Sequence, residues 1–440
     1  MKSIQDQQVG TRPGSTAGRG GGGGGGGGTK VWTITGRLRV RESELEGYPV
    51  DRPLKGIEVK VQASDVTADG PWSTWGAVRT GSDGSFSLSE SNNGRSRFFR
   101  VQARLVSSDL VVEDGTMVDV GNLDFADRNW YTIWKSGDQR SGPAVNLGTR
   151  LVASGQPGEL GNVTFRRQAL IWYVLRTTID RLTVDDPWNR LGDQLKVLYP
   201  AKSAVGTSYG SWNKIYLDED QSYWRPDGVL FYFWLAWQDY HTSGSGKLGE
   251  SFPSSAFASG FATFATSALM HELWDHRLER PVNRRYVAAG LSVSTLDEVE
   301  RDPRVICHAL HLLRYGGRKG WWSHLYGSAQ HYPPNRPDDD GDGAPDHPSE
   351  VGVKERLDGR VVPAGPHHLT FWQILRTFRA DAGHGWPTDL ELGGGDYGLL
   401  RFIDRAAAIH GLGEDVRELL RRSIDPLATV EPFELLPKAG

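Results

Sequence analysis

Residues 31–40, VWTITGRLRV, read with a period of two: Trp32, Ile34, Leu38 and Val40 fall on one face, and Thr33, Thr35, Arg37 and Arg39 on the other. Successive side chains of a strand point to opposite faces, so this is a strand with one dry and one wet side. The pattern recurs three times. Ile57, Val59, Val61 and Ala63 alternate with Glu58, Lys60 and Gln62. Phe86 and Leu88 alternate with Ser85, Ser87 and Ser89, directly after the turn signal Ser82-Asp83-Gly84. Phe99, Val101, Ala103 and Leu105 alternate with Arg100, Gln102 and Arg104. Such strands, separated by Gly, Asp, Pro and Asn turns, predict an all-β antiparallel sandwich over residues 31–125.

Outward from this region the texture changes on both sides. Residues 1–30 hold a glycine run from Gly20 to Gly28 and almost nothing apolar. Glycine loses more backbone entropy on ordering than any other residue, so a disordered leader is expected there. The leader lacks the apolar stretch of a secretory signal peptide. Residues 126–163 read as a Gly/Asp/Ser-rich linker with one or two short strands. Helical periodicity begins next, where Ala169, Ile171, Trp172, Leu175, Ile179 and Leu182 define a buried stripe. Strands are expected at Gln194–Tyr199, Trp212–Leu217 and Gly228–Leu235, and the longest helix from Pro253 to Arg280. Further helices are expected near 296–315, 368–380, 396–411 and 414–424. Residues 164–440 are thus expected to form a helix-rich α+β region, and the chain as a whole to be multi-domain.

Composition narrows the function. The 440 residues carry 50 Lys+Arg against 54 Asp+Glu, a net charge of -4, with a sequence pI near 6.3 and a mean hydropathy of -0.46. That balance argues against a general electrostatic grip on nucleic acid or an anionic membrane. No apolar run reaches the ~20 residues needed to cross a bilayer as a helix. A lone cysteine, Cys307, excludes an internal disulfide and any multi-cysteine metal site. All 12 histidines lie between His241 and His410, so imidazole-based metal chemistry belongs to the second half.

Two family resemblances follow from quoted residues. The first strand ending at Gly36, then Pro53-Leu54-Lys55-Gly56-Ile57-Glu58-Val59-Lys60-Val61, then Thr80-Gly81-Ser82-Asp83-Gly84-Ser85-Phe86-Ser87-Leu88, resembles the transthyretin-like or carboxypeptidase-regulatory-like domain. The resemblance implies a prealbumin-like sandwich of accessory role. Trp72 and Trp75 precede its Asp-Gly turn; they either stack on a sugar or peptide or pack internally, and packing is the expected outcome.

The second lies in Ala268-Leu269-Met270-His271-Glu272-Leu273-Trp274-Asp275-His276-Arg277. Phe257, Phe261, Phe264 and Ala268 recur at helical spacing and lead to His271 and Asp275. An apolar helix with His-Glu on its inner face resembles the active-site helix of zinc metallopeptidases with the His-Glu-x-x-His motif, the zincins. The resemblance implies Zn2+ held by His271 with Glu272 as general base. The chain departs from that motif. One turn after His271 stands Asp275, ~40° away around the helix, whereas His276 is ~140° away. A third ligand is implied downstream, with Glu298 or Glu300 as the counterpart in the glutamate-zincin branch and His308 or His311 as rivals.

Asp338, Asp340, Asp342 and Asp346, with Gly343 at the turn, are spaced like oxygen ligands of a Ca2+ loop over 338–350. The run resembles thrombospondin type 3 and dockerin repeats and departs from an EF-hand at its twelfth position, Ser349. Gly206-Thr207-Ser208-Tyr209-Gly210 matches a nucleophile elbow in letters, but a strand follows where a helix is required, so a strand-connecting turn is expected. His367-His368 reads as a helix-start feature. The expected function is a zinc-dependent metallopeptidase-like protein with a degenerate motif, acting on a protein or peptide. The alternative is a non-catalytic scaffold that binds a protein or glycan. A calcium loop beside a sandwich suggests an extracellular or leaderless-exported protein.

Overall fold

The alternating stretch at 31–40 is the centre of the first sheet. The computed structural model describes residues 30–42, 49–92, 96–115, 130–140, 144–152, 163–185, 191, 193–201, 209–211, 213–219, 223–243, 255–274, 303, 306, 307, 310, 369, 371–379 and 399–411. Within them the chain is mixed, with a sheet-rich N-terminal part and helices beyond it.

Strand β1 (Lys30–Glu42) has two edges and uses both. β2 (Val50–Pro53) and β5 (Ser85–Asn92) pair antiparallel with successive parts of one edge. β9 (Ala144–Val152) runs parallel along the other, with a register shift between Thr35 and Arg37. Trp32, Ile34, Leu38 and Val40 are all buried, as the period-two reading requires. Gly36 sits in phase with them because Phe86, its cross-strand partner, covers the place of a side chain. A Cβ built at Gly36 would meet the Phe86 ring at 2.9 Å.

A second, fully antiparallel sheet has the order β4-β3-β6-β8. It comprises β3 (Glu58–Ser64), β4 (Ser73–Arg79), β6 (Phe98–Arg104) and β8 (Tyr131–Lys135). The two sheets meet through rings: the centroids of Trp32 in β1 and Phe99 in β6 lie 5.3 Å apart, and Trp75 of β4, in the same sheet as Phe99, packs on it at 5.4 Å. Trp75 therefore packs internally. Trp72 is half-buried, with the Arg100 guanidinium 4.7 Å from its ring centre.

The Ser82-Asp83-Gly84 turn is set by φ of +79° at Gly84. Asp83 accepts a hydrogen bond from the Ser85 amide at 3.0 Å and pairs with Arg37 at 2.7 Å. Those interactions, the Ser85 hydrogen bonds first, hold its carboxyl down at about 2. A Cβ on Gly84 would stand 2.3 Å from the Leu38 carbonyl oxygen. Gly84→Ala is therefore expected to cost about 2 kcal/mol or more, from left-handed strain plus the clash. The control is Gly81→Ala, whose Cβ would meet nothing closer than 3.6 Å. Denaturant midpoints of the two variants should differ clearly; equal midpoints would contradict this account.

The strands expected in the connection 126–163 are integral to the sheets, since β8 pairs with β6 and β9 with β1. β7 (Leu110–Glu113) goes elsewhere. It joins a third sheet of order β11-β12-β10-β7, with β10 (Leu195–Leu198), β11 (Tyr209–Ser211) and β12 (Lys214–Tyr216). There β7 and β12 both run parallel to β10, while β11 closes a hairpin against β12. All four residues of β7 are buried, which fits a parallel strand covered on both faces.

Helix α1 (Val163–Asp185) carries the predicted stripe, every member of it buried. α2 (Pro226–Ser243) occupies the run expected to include a strand at Gly228–Leu235. That expectation is corrected. A short continuous apolar run does not distinguish a buried strand from a buried helix, and Val229, Leu230, Phe233, Trp234, Ala236 and Trp237 are buried on helical winding. Pro226 sits at the start of α2, where a missing N–H costs nothing, and Asp227 lies in the first turn. α3 (Ser255–Trp274) packs on α2 and lies within the expected helix 253–280. α4 (Phe371–Arg379) and α5 (Leu399–His410) also coincide with predicted helices. His410 Nε2 clips this pair, lying 2.8 Å from Thr377 Oγ1 and 3.0 Å from the Gln373 carbonyl. The expected helix at 414–424 lies outside the described residues.

One apolar core runs through all of this, from Trp32 in β1 to Ala406 in α5. α1 fastens the helices to the sheets. Trp172 Nε1 donates to the Lys55 carbonyl at 2.9 Å, Lys55 Nζ pairs with Asp180 at 2.5 Å, and Arg176 pairs with Asp109 at 2.6 Å and also with Asp180.

Candidate functional site

Among the sequence-predicted site residues, His271 and Glu272 fall in the described part of α3. Asp275, His276, Glu298, His308, His311, Asp338, Asp340, Asp342 and Asp346 lie outside the described residues, as do Glu300, Ser208, Gly343 and His367-His368. Tyr209 and Gly210, the end of the elbow-like match, begin β11, so a strand does follow Ser208. Among the described residues no group of three or more His, Cys, Asp or Glu side chains is arranged to hold a metal ion.

The helix that carries His271-Glu272 is a core helix. Phe257, Phe261, Ala262, Phe264, Ala265, Ala268, Leu269 and Met270 are buried, which covers more than one face. Its winding is α-helical throughout 255–274, with no π turn. Trp274 is anchored, its Nε1 donating to the Tyr173 hydroxyl at 3.1 Å, and the Arg52 guanidinium lies 5.8 Å from the Tyr173 ring centre. The last described turn of α3 is thereby linked to α1 and to β2. At the opposite end a Cβ on Gly260 would stand 2.6 Å from Ile306. The segment around Ile306 thus touches α3 ~16 Å along its axis from His271, at 1.5 Å per residue.

A second cluster lies where the parallel strands end. In open α/β sheets the crevice outside the strand carboxyl ends is the usual ligand position. β7 ends at Glu113, β10 leads into Tyr199, and β12 leads into Asp218 and Glu219. Arg167 and Gln168 come from the second turn of α1, and Trp224 lies two residues before the start of α2. Arg167 Nη1 donates to the Tyr199 hydroxyl at 2.8 Å and approaches Glu219 Oε1 at 3.4 Å, while its guanidinium lies 5.1 Å from the Trp224 ring centre. Gln168 bridges two strands: its Nε2 donates to the Tyr199 carbonyl at 2.6 Å, and its Oε1 accepts from the Tyr131 hydroxyl at 2.7 Å.

The electrostatics follow from burial. Burial pushes Tyr131 up to about 12, with the Asp114 charge adding to it. Tyr199 is also raised by burial, against the opposing pull of Arg167. Glu113 is 7% exposed, and burial lifts its carboxyl to about 7 despite the charges of Arg104 and Lys196. Sequence reasoning missed this cluster because its members come from six separate elements, β7, β8, α1, β10, β12 and α2, or from the residues flanking them. One local signal was available, an acidic residue closing the short apolar run Leu110-Val111-Val112-Glu113.

No family model matches the chain, and no curated protein matches it. Among solved structures, a 9R-lipoxygenase from Cyanothece PCC8801 is similar at 13% identity over 67% of this chain and 54% of its own, with a TM-score of 0.18. The chain spans about half the length of that protein, and a superposition this loose carries no argument about fold or activity.

Proposed function

We propose that the chain is a metallopeptidase-related protein in which α3 contributes His271 to a zinc site and Glu272 as general base. The two facing N-terminal sheets are, in this reading, a transthyretin-like sandwich of accessory role. The observation that carries the reading is α3 itself, an apolar helix embedded in the core that bears His-Glu in its last described turn. That is the setting the zincin resemblance requires. In the sequence Asp275 stands at the i+4 spacing of the zincin motif and His276 at i+5, and that spacing favours Asp275 as co-ligand. Imidazole and carboxylate donors fit a divalent ion, and a third donor would come from Glu298 or Glu300, or from His308 or His311. Such an ion would supply Lewis-acid chemistry, with His271 and Asp275 as the residues that would hold it. Glu272 accepts the proton of the attacking water, and Trp274, held by Tyr173, fixes the turn that presents both residues.

The test is elemental analysis of the full chain together with peptide hydrolysis. Stoichiometric zinc, lost in His271→Ala, is expected. Glu272→Ala is expected to keep the metal and lose hydrolysis by at least about a hundredfold, the scale of general-base catalysis. A chain that purifies metal-free and cleaves no peptide sinks the catalytic reading and leaves the non-catalytic protein- or glycan-binding scaffold. The same analysis in calcium tests the proposed loop at Asp338, Asp340, Asp342 and Asp346.

A further inference from the structure

We infer that Arg167, which lies over the Trp224 ring at the carboxyl end of β10 and β12, is the anchor of a binding site for a ligand carboxylate. The inference is independent of any metal at His271. Its first support is the way Arg167 is used. Only Nη1 is engaged, by the Tyr199 hydroxyl and more loosely by Glu219. Among the described residues nothing hydrogen-bonds Nε or Nη2, and the side chain keeps 28% of its surface exposed. The unengaged edge offers two parallel N–H groups, the geometry that matches a carboxylate in bidentate fashion.

The second support is preorganisation. Trp224 lies 5.1 Å from the guanidinium carbon, and the 2.8 Å bond to Tyr199 fixes the other end. Tyr199 is itself fully buried and fixed through its carbonyl by Gln168, which Tyr131 holds in turn. A long cationic side chain normally loses much rotamer freedom on binding, and here that loss has already occurred on folding. The third support is Glu219. At 3.4 Å and 55% exposed it is a weak rim partner, displaceable by an incoming carboxylate. It also sets a requirement, because an acid beside the anchor disfavours a doubly charged anion more than a singly charged one. Monovalent carboxylate is therefore the assigned class, in preference to phosphate.

The full chain is titrated calorimetrically with N-acetyl-dialanine, its carboxamide, acetate and inorganic phosphate. Binding of N-acetyl-dialanine is expected, and the carboxamide should bind at least tenfold more weakly. Acetate binding as well as the peptide acid identifies a small carboxylate as sufficient, and acetate binding more weakly identifies a peptide end; both support the site. Arg167→Gln should weaken binding at least tenfold, and Arg167→Lys should not restore it. Glu219→Gln changes only an exposed side chain and should tighten binding two- to fivefold, a result independent of any folding defect at Arg167. Loss of binding to all carboxylates, binding indifferent to Arg167 and Glu219, or phosphate binding in preference to carboxylate would overturn the assignment.

Discussion

Glu113→Gln is expected to stabilise the chain above neutral pH by on the order of 3 kcal/mol and to leave it unchanged near pH 4. Glu113 closes β7 and is 7% exposed, and no other described residue hydrogen-bonds its carboxyl. Burial raises its pKa from 4.5 to about 7, against the pull of Arg104 and Lys196. The folded state thus holds this proton more tightly than the unfolded state. Below pH 4.5 both states are protonated and there is no penalty. As pH rises the unfolded chain ionises first, so stability falls until about pH 7 and is flat beyond it. At about 1.4 kcal/mol per pH unit the full loss is on the order of 3 kcal/mol. Glutamine never ionises and escapes that loss. Other titrating groups, such as Asp83, are common to both chains and cancel in the difference. Urea midpoints at pH 4, 6 and 8 measure the effect. A difference that does not grow with pH would show that the Glu113 carboxyl is solvated or paired.

Much of the sheet-rich part was legible because a half-buried strand writes its environment into alternation. β1, β3, β5 and β6 each have one face in the core, and each alternates in the sequence. β7 has both faces covered, so its Leu-Val-Val run carried no direction, and its partner β10 lies far along the chain. The same ambiguity hid α2, whose buried run reads equally as strand or helix until its length of 18 residues is known. α3 was legible by its long helical spacing, and His271-Glu272 by their letters. The Arg167 cluster was not legible in that way. Its members are ordinary in sequence, and only the parallel order of β7, β10 and β12 places their ends together. Sequence patterns report the local face of an element; a site built from several ends is a tertiary fact.

Trp172→Ala should lower stability by about 3–5 kcal/mol and should do so in the sheets and the helices together. Trp172 is fully buried in α1, and its indole N–H meets the Lys55 carbonyl in the turn between β2 and β3. Truncation removes a large apolar surface, leaves a cavity and strands that carbonyl, the combination that makes aromatic-to-alanine changes costly. Trp172→Phe keeps most of the volume and loses the donor, so about 1–2 kcal/mol is expected of it. The graded pair separates packing from hydrogen bonding. The distribution of the effect carries the larger inference. Continuity of the core from Trp32 to Ala406, with Arg176–Asp109 and Lys55–Asp180 beside Trp172, implies that the sheets do not survive loss of α1 packing. Strand and helix signals by infrared absorption should therefore share one shifted denaturation midpoint in Trp172→Ala. Helix loss at low denaturant with an unshifted strand transition would mean that the N-terminal sheets fold on their own, and that Trp172 is only an interface contact.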